Sequence, residues 1–178
     1  MASVLSHPAI ALGLGPLFHR FGLTPRLWLA GAACTVVPDL DALGFWMGIP
    51  YDSLLGHRGL THSLAFAAAL AGAVTFVLRH ERASRAVLFA YFFLCAASHG
   101  LLDAMTDGGL GVAFFSPFWN ERFPLPWRPI LVSPIGVAGF FGPRAIAILQ
   151  SELRVIWLPS AGLAALGALT WWIPRRSD

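Results

Sequence analysis

Residues 86–104 read AVLFAYFFLCAASHGLLDA, and this stretch decides what kind of molecule the chain forms. Its first twelve residues carry no charge. As a helix the segment would be about 28 Å long, close to the hydrocarbon thickness of a bilayer. Near its end the same segment carries His99 and Asp103, four residues apart and therefore on one helical face. Ionisable groups at membrane depth are expensive, at ~2.5–3.5 kcal/mol for an aspartate on insertion scales, and are functional by default.

Outward from this stretch the rest of the chain has the same character. Hydrophobic residues make up 57% of its 178 residues and charged residues 12%, with a mean hydropathy of +0.68. A soluble chain carries roughly a quarter charged residues, so this one cannot cover its surface with polar groups and lipid must solvate it. Four further apolar runs flank the first, at His7–Phe18, Leu27–Ile49, Leu60–Leu78 and Val155–Ile173. Between Met105 and Arg154 lies a Gly-, Pro- and aromatic-rich stretch too apolar for a solvated loop. It is expected to be a re-entrant or interfacial cap, tolerable where its backbone is buried in protein or lines a wet cavity. Trp119, Trp127 and Trp157 suit either a headgroup-level aromatic belt or packing anchors. The predicted fold is an all-α, polytopic membrane helix bundle of about five transmembrane segments plus the cap, forming one integral membrane domain over residues 1–178. Cys34 and Cys95 fall inside apolar runs and read as small core residues. The N-terminus lacks a basic region, and its apolar run contains His7 and Pro8, so no cleavable signal is expected.

Alternating the spans sorts the connections onto two sides. Arg20, Arg26, Arg79, Arg82, Arg85, Arg175 and Arg176 fall on one; Arg58, Arg122, Arg128, Arg144 and Arg154 fall on the other. The positive-inside rule puts the first side in the cytoplasm. A net charge of +3, spread this way, carries topological information and gives no reason to expect a nucleic-acid partner. The same alternation delivers His7, Asp39, Asp41, His57, His62, His99 and Asp103 to one membrane face, the non-cytoplasmic one. His19 and His80 lie on the arginine-rich side and are not site residues. Asp52 reads as loop, while Asp107 and Glu121 can enter from the cap.

This collection suits a divalent metal. Asp39 and Asp41 stand two residues apart beside Pro38, which ends or kinks the helix there. Two such close carboxylates repel unless a proton or a cation offsets them. Gly59 breaks helical continuity between His57 and His62, letting a turn carry one back toward the other. Thr61 is a cap or polar contact, and Asp103 is either a ligand or the partner that orients His99. Taken singly, each residue has a bland alternative: a hydrogen-bonded histidine, an Asp103–Arg pair, or Asp39 and Asp41 capping helix ends. Nitrogen and oxygen donors without thiolate fit zinc first, with manganese or magnesium as alternatives, and seven donors permit one or two ions. Arg58, Arg122 and Arg128 are candidates for binding an anionic group such as a phosphate, and Asp41 or Asp103 for general base.

Pro38-Asp39-Leu40-Asp41, His57-Arg58-Gly59-Leu60-Thr61-His62-Ser63, Ser98-His99 with Asp103, and the cap from Phe115 to Pro129 together resemble the YdjM-like family, up to about Gly136. The resemblance implies a membrane-bound, metal-dependent hydrolase of a bacterial or archaeal inner membrane. A lipid or phosphoester substrate would suit a site opening beside the bilayer. No HExxH or GxSxG pattern is present, which argues against a zincin protease and a serine hydrolase. Two alternatives use the same ligands: a metal transporter, which would need polar groups continuing to the opposite face, and a structural or regulatory protein stapled by its metal. Substrate, metal identity and oligomeric state are not written in the sequence.

Overall fold

The computed structural model describes residues 1–135 and 141–172; Gly136, Ile173, Arg175 and Arg176 lie outside the described residues. Among these, five helical segments follow one another: α1 (His7–Phe18), α2 (Pro25–Cys34), α3 (Leu64–Val77), α4 (Arg85–Ala104) and α5 (Ala145–Leu169). There are no strands among the described residues, only two isolated bridges in the cap, Thr106 with Ile130 and Val112 with Phe123. The chain is all-helical, as predicted.

Local chemistry explains where the helices begin. Ser84 and Ser63 precede α4 and α3, and their hydroxyls accept from the backbone N–H of Val87 and Phe66, satisfying donors that a helix start leaves orphaned. After Cys34 the α-helical pitch of the second apolar run is lost, and Val37–Met47 continues as a 3₁₀ helix with Pro38 in its first turn. Together Pro25–Met47 is long and apolar enough to cross a membrane, as are Arg85–Ala104 and Ala145–Leu169. The other two predicted spans are short: α3 has 14 residues and α1 has 12, or about 21 and 18 Å of helix against a ~30 Å core.

Two boundaries depart from expectation. The third apolar run was predicted as one helix from Leu60, but α3 starts at Leu64 and leaves His62 in a separate 3₁₀ turn, Leu60–His62. The last helix begins at Ala145, not Val155, so the irregular cap ends near residue 144. Gln150, Glu152 and Arg154 dilute the apolar signal there, and a π-helical turn at Leu153–Trp157 breaks its period.

The bundle packs around α4. Leu88, Tyr91, Phe92 and Cys95 are buried against Leu27 and Cys34 of α2, Ala11 of α1 and Ala71 of α3. The Tyr91 hydroxyl donates to Ala11 O at 3.0 Å, which satisfies it in this core. A second cluster joins Ala2, Ala9, Leu102, Ile130 and Ile156, tying the N-terminal segment, the end of α4, the cap and α5 together. Outward, Leu29, Phe76, Val77, Leu166 and Leu169 are exposed, the surface expected of helices solvated by acyl chains. α1 lies close against α5 because two glycines permit it. A Cβ on Gly13 would stand 2.6 Å from Ser160 O, and one on Gly167 would stand 2.6 Å from Leu17 N; small residues at such crossings are how helices associate in lipid.

Gly13→Leu is therefore expected to overpack this crossing, at about 1–3 kcal/mol. Gly72, in α3, has nothing within 4 Å of a built Cβ, so Gly72→Ala should leave stability unchanged or raise it slightly. Thermal unfolding in detergent, read by a thiol dye on the buried Cys34 and Cys95, checks both outcomes.

Candidate metal centre

His7 opens α1, Asp39 and Asp41 lie in the 3₁₀ segment, His57 and Arg58 in the following loop, His62 in its own turn, and His99 and Asp103 near the end of α4. Two backbone features bring these elements together. Arg58 takes a positive φ of 65°, reversing the chain between His57 and His62. Gly100 has no side chain where a Cβ would stand 2.7 Å from the His62 carbonyl, so the Leu60–His62 turn can lie directly on α4.

The acceptors around three rings assign the proton to one nitrogen of each. His99 Nδ1 is 2.6 Å from Thr35 O, a carbonyl that can only accept. His57 Nδ1 is 2.7 Å from Asp41 Oδ1. His62 Nδ1 is 3.2 Å from Asp41 Oδ2 and 3.1 Å from Thr61 Oγ1, whose own hydrogen goes to Asp41. Each Nδ1 donates, so in the neutral ring each Nε2 is a bare lone pair. The consequence is electrostatic: His62 Nε2 and His99 Nε2 face each other across 3.0 Å, two acceptors close enough to ligate one cation set to the side of the line joining them.

Carboxylates complete the cluster. Asp39 Oδ1 lies 3.3 Å from His99 Nε2 and 3.9 Å from His62 Nε2. Asp103 Oδ2 is 3.5 Å from His62 Nε2, and its Oδ1 is 3.6 Å from His7 Nε2. The His7 ring stacks on His99 with centroids 3.8 Å apart. Both nitrogens of His7, both oxygens of Asp39 and His57 Nε2 are buried without a hydrogen-bond partner. Donors sharing one tetrahedral ion at 2.0–2.1 Å stand roughly 3.3 Å apart, so the spacing and the donor set both fit a metal. In each of two groups the donor atoms all lie within 4.8 Å of one another: Asp39, His57, His62 and Asp103 in one, and His7, His99 and Asp103 in the other.

The remaining predicted residues take different places. Asp41 is behind the cluster rather than in either group, its oxygens engaged by His57, His62 and Thr61. Arg58 is 1% exposed. Its Nε donates to Asp103 Oδ2, one terminal nitrogen to Gly108 O and the other to Thr106 Oγ1, so three of its five N–H groups are engaged by the protein and burial limits an anion's access to the rest. Arg122 donates to the carbonyls of His57, Tyr51 and Ser53; partial burial lowers its pKa from the ordinary guanidinium value. Arg128 is exposed. Asp107 accepts from Val132 N within the cap, and Glu121, Asp52 and His80 are exposed. His19 bonds to Leu23 O in the connection after α1.

Sequence reasoning missed two contributors. Thr35 offers only a backbone oxygen, which no side-chain pattern reveals. Glu152, on α5, is fully buried and accepts from Ser3 N, from Ser3 Oγ at 2.6 Å and from Ser6 Oγ at 2.7 Å. It thereby fastens the segment whose Ala2 N–H donates to Asp103 Oδ1 at 2.8 Å and which ends at His7. An acidic residue inside an apolar run was the available signal, but the run itself was assigned to the cap.

Apolar helices with a buried His/Asp cluster at one end define a polytopic membrane protein able to hold a metal. The family described as YdjM inner membrane protein matches residues 1–176, and the chain belongs to it. Inner membrane protein YbcI of Escherichia coli (strain K12) is 36% identical over 176 residues, spanning 98% of this chain and all of that relative (100%). No solved structure matches. The protein is therefore an inner membrane protein, with the bilayer as its solvent.

Glu152→Ala is expected to take away the acceptor shared by three donors of the N-terminal segment and to destabilise the protein by about 1–3 kcal/mol. Glu152→Gln, which keeps an acceptor oxygen, should lose less. The thiol-dye unfolding temperature of both variants against wild type measures the difference.

Proposed function

We propose that this protein is a membrane-embedded, metal-dependent hydrolase. The observation that carries the reading is the His62–His99 pair, two nitrogens each left bare by a bond on its far side and set 3.0 Å apart. A single proton could bridge that pair, but it would leave Asp39, His7 and His57 Nε2 still without partners. One or two divalent ions would engage one atom of each of these residues, with Asp103 common to both groups. Zinc is the first choice, and manganese or magnesium the alternatives. Bound there, such an ion supplies Lewis acidity and a water acidic enough to ionise near neutral pH.

The chain's own residues divide the remaining work. Asp41 receives the Nδ1–H groups of His57 and His62, which fixes the ring orientations and raises ligand basicity. Arg58 and Ala2 N hold Asp103 in place. Asp41 and Asp103, expected as bases, are thereby committed to orienting and holding. Asp39, with no donor on either oxygen, would ligate an ion through one oxygen and leave the other placed to take a proton. Arg128 is the arginine left to meet an anionic substrate group, and a lipid or phosphoester remains the proposed substrate class. The arginine asymmetry of the connections supports an opening on the non-cytoplasmic face. The alternative of a metal that only staples the helices shares every ligand and differs in turnover.

Metal analysis of the purified protein tests this first. Wild type is expected to hold one or two ions per chain and His62→Ala and His99→Ala to lose them; equal, substoichiometric metal in all three overturns the proposal. Asp41→Asn should keep the fold and weaken metal affinity by about 10–100-fold, measured by chelator competition. Stoichiometric metal without hydrolysis across a phosphoester and lipid-ester screen would favour the staple.

A further inference from the structure

A cavity of about 310 Å³ runs between the N-terminal segment, the 3₁₀ segment and the cap. Its walls include Val4, Leu5, Ala42, Pro134, Ile135 and Phe141. Asp39 also lines it, and the same carboxylate stands 3.3 Å from His99 Nε2. The cavity is thus mostly apolar, with Met1, Ser3 and Ser133 also in its lining, and Asp39 joins it to the histidine and aspartate cluster. Several wall residues are also exposed, Val4 at 44%, Leu5 at 57%, Ile135 at 45% and Phe141 at 75%. Leu40 and Leu43, in the same 3₁₀ segment as Ala42, are exposed as well. In an inner membrane protein such an apolar mouth opens to lipid more readily than to water.

We propose that this cavity seats one hydrocarbon chain of a membrane lipid and sets the lipid's polar head at Asp39, beside the cluster. Its volume lies at the lower end of the roughly 300–1,000 Å³ of small-molecule sites, which suits one chain rather than a whole diacyl lipid. A water-soluble polar substrate would find few partners along these mostly apolar walls, whereas a chain arriving from the bilayer exchanges one apolar surroundings for another. The chain's contribution is therefore orientation more than affinity: it delivers the head to one place in the site. The inference rests on the hydrolase reading only for what becomes of the head; seating of the chain stands or falls separately.

Photolabelling of the full-length protein in lipid nanodiscs tests the seating without any turnover. The probe is a dodecyl phosphate carrying a diazirine in the middle of its chain. Adducts are expected to concentrate on Val4, Leu5, Ile135 and Phe141. Ala42→Trp, which fills the cavity, should cut them at least tenfold, and excess dodecyl phosphate should compete them away while inorganic phosphate does not. Leu166→Trp, at an exposed position on α5, should leave labelling unchanged. Adducts spread equally over Leu29, Phe76 and Leu166, or labelling unaffected by Ala42→Trp, overturn the proposal, as does competition by inorganic phosphate alone. If thiol-dye unfolding shows Ala42→Trp to be misfolded, Ile135→Trp fills the cavity from the cap side and carries the same expectation. Metal content, measured on the same samples, separates the two readings. Labelling confined to the cavity in wild type that holds no more metal than His62→Ala leaves chain seating intact while the hydrolase reading fails. Intact metal with scattered labelling does the reverse.

Discussion

Two imidazole nitrogens 3.0 Å apart, His62 Nε2 and His99 Nε2, set the constraint on which the rest of this structure depends. Each ring is pinned from behind, His99 by the Thr35 carbonyl and His62 by Asp41 with Thr61, so neither can turn away to relieve the repulsion of facing lone pairs. In a low-dielectric interior that repulsion is weakly screened. It becomes an attraction once the two nitrogens share a positive charge, and the surrounding carboxylates of Asp39 and Asp103 reinforce the same demand. A buried group of acceptors this dense is unfavourable alone and favourable around a cation.

Much of the chain's irregular backbone serves to assemble that group. Helices alone would spread these side chains along separate axes. The second apolar run gives up α-helical pitch after Cys34, the third delays its helix until Leu64, and Arg58 adopts a backbone conformation that non-glycine residues rarely take. Arg58 also fills the space beside the cluster: a Cβ on Gly109, itself at φ +88°, would stand 2.5 Å from its terminal nitrogen. A buried guanidinium between Asp103, Thr106 and Gly108 neutralises one carboxylate and braces the cap against α4. The cap in turn covers the end of α4 through Leu125 N to Ala104 O and Ile130 N to Met105 O. Irregular backbone at this depth is tolerable because these bonds satisfy it within the protein.

The gathering of residues was legible because the alternation of apolar runs is a strong constraint: once a span must cross, its two ends are assigned to opposite faces. His7, Asp39, His57, His62, His99 and Asp103 followed from that alone, and the structure brings them together. What the sequence could not convey was depth within the cluster. Asp39 and Asp41 are equivalent by composition, and only the path of a 3₁₀ segment decides that Asp39 meets His99 while Asp41 stands behind His57. Arg58 looked like an anion site because its neighbours are ligands; its burial between protein acceptors depends on the cap, whose fold carries no periodicity to read. Glu152 was hidden by the same polar run that displaced the start of α5, since a buried acidic residue in a helix resembles a loop to any hydropathy argument.

Side-chain nitrogen NMR of the histidine-labelled, metal-loaded protein at neutral pH addresses the facing lone pairs most directly. His57, His62 and His99 should each show Nδ1 protonated and Nε2 without hydrogen, and removing the metal with a chelator should shift all three Nε2 signals. Imidazolium signals from His62 or His99, or a hydrogen on either Nε2 in the metal-loaded sample, would contradict the account.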